Sequence, residues 1–225
     1  MAFLVSVARW MADPARWQGS DGIPWRVGEH LLLSATALAI AVVVALPLGI
    51  LLGHTGRGAA LVVNVMNVGR ALPSLAVMAL ALPLAFRLGL GLGFWPTVVT
   101  LVPLGLPLVL LNSYAAVRAV DRDAVEVARG LGMRGWQVLR LVELPLAAPV
   151  ILDGVRNAAV TIVATATLGA LVASGGLGRY IVDGLARQEY ERLVAGALLV
   201  SLLAIATEAA FGVVAQFSKH KGVAV

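Results

Sequence analysis

The chain holds 225 residues, 60% of them apolar and 13% charged, with no cysteine and a net charge of +5. A soluble domain is roughly 45–50% apolar and about 25% charged, so a mean hydropathy of +0.93 excludes a water-soluble enzyme as the leading reading. Disorder is excluded by the same apolar excess, and the missing cysteines exclude disulfides, thiolate nucleophiles and cysteine-ligated metal centres. His30, His54 and His220 lie far apart without metal-ligand spacing, so no metal site is expected.

In chain order, residues 1–30 place Trp10, Trp17 and Trp25 among charges of both signs. Tryptophan favours the headgroup layer, so this amino-terminal segment is expected to lie along the membrane. No basic residue precedes its first apolar run, which argues against a signal peptide. A spanning helix needs about 20 apolar residues. Residues 31–53, 58–86, 88–117, 157–178 and 193–218 supply such stretches, the fourth beginning as early as Pro145. The second is longer than one span needs. Pro73 removes a backbone donor and breaks the helix. Residues 58–70 then form a short surface helix with Arg70 snorkelling, and the span proper starts near Pro73. The expectation is an all-α transmembrane bundle with about five spanning helices. Residues 1–30 form an interfacial segment, 31–218 the transmembrane domain, and 219–225 a cytoplasmic tail.

Five spans put the two ends on opposite sides. With the amino end outside, the inner segments hold eight basic residues against seven outside, too small a bias to fix orientation by itself. The loop at 121–145, DRDAVEVARGLGMRGWQVLRLVELP, is the longest polar segment between the spans. Asp123 and Glu126 have capping-box spacing, which predicts a short helix from Ala124. Gly130 and Gly132 would end it. A second short helix is expected from Arg134 to Glu143, with Arg134, Gln137 and Leu141 on one face and Trp136, Leu139 and Val142 on another. Pro145 suits the first turn of the next long helix. Physics alone allows a plain, well-capped connection here.

The same segment resembles the "EAA" loop of permease subunits of ABC-type importers: Glu126-Val127-Ala128, Gly132, Val142 and Leu144-Pro145 stand at the signature's spacing, with Val127 for the second position. Two further segments resemble the branch that takes up glycine betaine, choline and carnitine. Pro73-Ser74-Leu75-Ala76 is similar to its "IPSLA" segment, with Arg70 a departure. Ser174-Gly175-Gly176-Leu177-Gly178 is similar to its "GGLG" segment. Importers of methionine-like solutes share the loop motif.

The resemblance implies a type I importer permease. Two permease subunits, the same or sibling chains, would pair in the bacterial inner membrane and form the pathway. ATPase subunits would dock on the loop, which would be cytoplasmic, and an extracytoplasmic binding protein would deliver solute. Asp123 and Glu126 would cap and fix the coupling helix. Arg129 would meet acidic groups of the ATPase, and Ala128 and Gly132 would be small because a partner approaches. Trp136 would fill a pocket of the partner or pack on the permease's own spans. Gly130 and Pro145 complete the coupling set. Pro73, Ser74, Gly175, Gly176 and Gly178 would belong to the pathway or its gate, with the three glycines in a flexible external turn or re-entrant element. No Walker-type Gly-x4-Gly-Lys-Ser/Thr sequence is present, so ATP and Mg are expected on the partner, with no cofactor on this chain. No catalytic set can be assembled either.

Charges within the spans carry two readings. Glu208 would lie about 15 Å from the inner end of the last span, where an acid is a functional suspect unless a structural partner such as Arg70 or a hydroxyl meets it. Asp153 and Arg156, three residues apart, can pair with each other. Gly49 and Gly53 form a GxxxG that marks close packing or arises by chance among 24 glycines. The rival classes are an ion-coupled secondary carrier and a structural membrane subunit. Neither has a reason to keep a coupling-helix sequence, and no inverted repeat of the carrier kind is visible.

Overall fold

A computed structural model describes residues 1–222, with side chains described except at 59, 61, 70 and 216–222. The expected tail at 219–225, its Lys219 and Lys221, and the partner of Arg70 therefore lie outside the described side chains. All regular structure among the described residues is helical. Helix α1, Ala2–Ala12, leads through a 3-10 turn, Pro14–Trp17, into α2, Ile23–Thr55. Helices α3, Ala59–Arg70, and α4, Ser74–Arg87, follow, and then α5, Phe94–Arg118. Short α6, Arg122–Gly130, and α7, Gly135–Val138, precede a π-helical turn, Leu139–Glu143. Helix α8, Leu144–Thr165, tightens into a 3-10 segment, Ala166–Val172. Helices α9, Gly178–Ala186, and α10, Tyr190–Gly222, complete the chain.

Helix α2, residues 190–215 of α10, and α5 are each long and apolar enough to cross a membrane. Helices α3 and α4 turn by 95° at their break. Pro73 stands there as the cap of α4, so the division expected at that proline is present. Helix α8 has 22 residues, a spanning length, and carries Asp153 and Arg156 within it. It starts beside Pro145 and ends as an α-helix at Thr165, short of the expected 178.

Two other boundaries differ from the sequence expectation. Helix α2 begins at Ile23, not near residue 31, because Gly22 caps it and Pro24 opens its first turn. Helix α5 begins at Phe94, not at residue 88, because Gly89, Gly91 and Gly93 hold positive φ values of 68°, 68° and 90°. That run is a loop which L side chains would not enter without strain.

Helix α5 is the hub, packed against α2, α8, α4 and α3. Its seam with α2 follows from one sequence feature. Leu33, Ala37, Ala41, Ala45, Gly49 and Gly53 recur every fourth residue and are all buried. Such an i, i+4 ridge lets two backbones approach closely. A Cβ added at Gly49 would stand 2.6 Å from the Leu110 carbonyl, and one at Gly53 would stand 2.8 Å from Val117 Cβ. The same device seats α8. Gly154 faces Asn112 of α5, and Gly105 of α5 faces Ile162 and Ala41. The GxxxG at 49–53 is therefore a packing element within this chain.

The amino-terminal segment docks on the bundle. Helix α1 packs along α10. Trp10 meets Tyr180 edge-on at 5.4 Å between ring centroids. Both join a cluster with Ile23, Leu177 and Val200.

Candidate functional site

The loop between α5 and α8 is built by its caps. Asp121, not Asp123, caps α6: its carboxylate accepts the Asp123 N–H at 3.0 Å. The sequence DRD offers two acids, and the backbone uses the first. The helix therefore starts at Arg122, and Asp123 becomes a first-turn acid, where the helix dipole favours it. At the other end Gly132 N–H donates to the Arg129 carbonyl and Met133 N–H to the Ala128 carbonyl. These two bonds, with Gly132 at φ 85°, are a Schellman motif. The Gln137 side chain accepts the Arg134 N–H at 2.8 Å and caps α7. Pro145 has no N–H to return to the preceding turn. The wider π turn at Leu139–Glu143 stands directly before it and lets the helical path continue into α8.

This folding sorts the expected residues into two sets. Ala128, Val138, Leu139 and Glu143 are buried within the chain. Asp123, Glu126, Arg129, Gly130, Gly132, Trp136 and Pro145 are exposed. Two sequence readings change. Ala128 is 4% exposed, so its small side chain answers to packing in its own fold rather than to an approaching partner. A Cβ added at Gly132 would meet nothing within 4 Å, so the positive φ of this residue, not lack of space, explains the glycine. Trp136 is 66% exposed, so most of its surface is left open on this chain. It also parts from Leu139, which turns inward. Val127, Leu131, Trp136 and Leu141 are exposed apolar residues of this loop, and Arg122, Arg129, Arg134 and Arg140 are exposed on it as well.

Beneath the loop lies a cavity of about 160 Å³ lined by His54, Arg118, Arg122, Glu126, Arg129 and Glu143, among others. Its one described side-chain bond is between His54 Nδ1, donating, and Glu143 Oε2 at 2.5 Å. This pair joins the last turn of α2 to the end of the loop. Sequence reasoning missed it because the two residues are 89 positions apart.

The opposite end of α2 carries a second polar cluster. The Glu29 carboxylate accepts Arg26 Nη1 at 2.8 Å and the Gly176 N–H at 2.9 Å. A Cβ on Gly175 would stand 2.4 Å from that carboxylate, and one on Gly178 would stand 2.2 Å from the Thr167 carbonyl. The Gly175–Gly178 turn is therefore packed against α2 and the 3-10 segment. Arg26 also binds Asp21, and this hydrogen bond holds the Asp21 carboxyl below its ordinary pKa. His30, fully buried beside Gly176, donates from Nε2 to the Val163 carbonyl at 2.8 Å. Pro73 and Ser74 stand at the α3–α4 break, on a helix that packs against α5. Trp25, Glu29 and Phe94 line a cavity of about 400 Å³ with Ser174 and Gly175, a gathering not legible from sequence spacing.

Glu208 has a partner, and it is Arg156. The guanidinium lies 3.4 Å from Glu208 and 3.6 Å from Asp153.

Comparison with known proteins adds the family. The sequence pattern of the family described as "Binding-protein-dependent transport system inner membrane component" matches residues 45–219. The chain is 36% identical over 198 residues to the glycine betaine/carnitine/choline transport system permease protein OpuCB of Bacillus subtilis, covering 88% of this chain and 89% of that one. It is 38% identical to the choline transport system permease protein OpuBB of the same organism, covering 80% and 81%. It is 34% identical to the osmoprotectant import permease protein OsmW of Salmonella typhimurium, covering 79% and 82%. In fold it is similar to an inward-facing MetNI methionine ABC transporter, with a TM-score of 0.79 at 20% identity over 92% of this chain and 98% of that one. The chain belongs to the family of binding-protein-dependent inner-membrane transport components: it is an all-α, multi-pass permease subunit of an ABC-type importer, not itself an enzyme, with ATP turned over by a separate subunit.

Proposed function

We propose that this chain forms, with a second permease subunit, the membrane pathway for a quaternary-amine osmoprotectant such as glycine betaine, choline or carnitine. The relatives named for these solutes, at 34–38% identity over most of the chain, support that substrate class. The ATPase docks on the loop at 121–145, and an extracytoplasmic binding protein delivers solute at the other end of the bundle. The amino end then lies outside and the loop faces the cytoplasm. Residues 1–30 stay at the outer interface, 31–218 form the permease domain, and 219–225 end in the cytoplasm. ATP binding draws the paired loops together and rocks the spans between two states, each favoured by one partner.

The observation that carries the docking assignment is the loop's outer face. A polar loop tied between two helices has no internal reason to present Trp136, Leu131, Val127 and Leu141 to solvent. Exposed aromatic and apolar anchors are the residues that dominate interface cores. Asp123, Glu126, Arg129, Gly130, Gly132, Trp136 and Pro145 shape or flank that face. Pro73, Ser74, Gly175, Gly176 and Gly178 remain candidates for the pathway and its gate.

The test is purification of the tagged chain from its native membrane, identification of stoichiometric companions by mass spectrometry, and uptake of labelled choline, glycine betaine and carnitine. An ATPase and a binding protein are expected to co-purify. Trp136→Ala is expected to leave the permease inserted and folded while losing the ATPase and uptake together. Retention of the ATPase at wild-type stoichiometry by Trp136→Ala would remove the docking face. ATP-independent transport by the chain alone would favour a carrier.

A further inference from the structure

The pair His54–Glu143 lies outside both the docking face and the candidate gate. Glu143 is 5% exposed at the final position of the π turn, where the coupling loop passes into α8. A buried carboxylate left without a partner is costly, so it requires a donor. The donor is on α2: His54 Nδ1 at 2.5 Å. The other face of the same ring, Nε2, lies 3.6 Å from where a Cβ on Gly135 would be. His54 is therefore bonded to the last residue of the π turn and lies close to the first residue of α7. Thr55 and Gly56 end α2 directly after it, with Gly56 in a left-handed cap. The ring sits at the very end of a rod of 33 residues, which is about 50 Å long. Along its length α2 is seated on α5, and at its far end Glu29 holds the Gly176 turn.

We propose that His54 and Glu143 form the clasp through which α2 follows the coupling loop, making His54 a positioning residue for coupling between ATP turnover and the spans. This rests on the assignment of the loop as the ATPase dock. A displacement of the loop toward its twin must move α8, which continues it covalently. Helix α2 has no such continuity, since 79 residues of chain separate Thr55 from Gly135. Without the clasp, α2 would follow through its seam with α5, its packing on α8 and the His30–Val163 bond toward its other end. With it, the π turn and the end of α2 move together, and the rod delivers that movement to the Glu29–Gly176 contact.

The geometry specifies which atom matters, and this gives the test. Asparagine places its amide nitrogen near the position of Nδ1, and glutamine places it near Nε2. In the complete transporter, with ATPase and binding protein reconstituted in proteoliposomes, uptake is measured per ATP hydrolysed for His54→Asn and His54→Gln. His54→Asn is expected to keep uptake per ATP within about twofold of wild type. His54→Gln is expected to keep the ATPase bound while uptake per ATP falls about tenfold or more, a typical coupling free energy. Equal coupling in both variants, or better coupling in His54→Gln, overturns the clasp, because a purely space-filling role favours the larger glutamine. Should His54→Gln fail to assemble, Glu143→Leu removes the acceptor without leaving a buried charge, and the same loss is expected. Wild-type coupling in that variant overturns the proposal. Failure of the docking assignment itself reads differently, as absence of the ATPase from the wild-type complex.

Discussion

Gly132 stands at the end of α6 with φ 85° and open space around its α-carbon. Two reasons for a glycine compete here, conformational freedom and room for a partner, and they predict opposite outcomes for one substitution. Asparagine enters the left-handed region more readily than other side chains but is much larger than glycine. If the Schellman motif is what needs glycine, Gly132→Asn should keep uptake near wild type. Gly132→Ala should instead cost about 1–2 kcal/mol at this loop end and lower uptake. If a partner must approach closely, Gly132→Asn is the worse variant. Uptake of a labelled osmoprotectant by the two, at equal membrane levels, decides it. The glycine's position was legible from sequence as a helix stop, but its reason was not, because spacing does not reveal what surrounds an α-carbon. The same limit explains Ala128, small for its own core. At the cap, the spacing of Asp123 to Glu126 pointed two residues too late, since Asp121 captured the helix start.

At the scale of elements, the spans were legible wherever apolar length decides, as in α2, α5 and α10. They were not legible where backbone conformation decides, as at Gly89, Gly91 and Gly93, which are apolar by count yet form a loop. The α2–α5 seam was half visible. Gly49 and Gly53 stood out, but the alanines that continue their ridge at 37, 41 and 45 did not, because alanine is common in any apolar helix. The seam predicts a graded response. A side chain at Gly49 meets the Leu110 carbonyl and Ser113 Cβ, which are backbone and near-backbone atoms that cannot swing aside. Overpacking of this kind costs roughly 1–3 kcal/mol. Gly49→Leu should therefore lower the detergent-solubilised melting temperature more than the same change at Gly212, whose Cβ position is open. Equal melting of the two would mean that the seam relaxes and is not the hub of the bundle. Helix packing of this sort positions the two ends of α2 for their polar contacts, so its loss should also reduce uptake.

Across the whole molecule, the membrane solvent sets the meaning of the charges. Asp153, Arg156 and Glu208 bring α8 and α10 together at two carboxylates against one guanidinium. Both carboxylate side chains are 48% exposed on this chain alone. Hydrocarbon does not tolerate such exposure cheaply, which argues that the proposed second subunit or aqueous pathway covers this face. The arithmetic of charge separates a structural role for Glu208 from one in transport. Glu208→Gln removes the excess negative charge and leaves Asp153 paired with Arg156. Arg156→Leu leaves two carboxylates with no cation, an uncompensated state that costs about 3 kcal/mol or more when buried. A structural role therefore predicts that Glu208→Gln folds and transports within about twofold of wild type, while Arg156→Leu loses folded protein, read as the monodisperse fraction after extraction. A Glu208→Gln protein that melts normally yet loses uptake about tenfold or more would instead place this carboxylate on the route of a cationic solute.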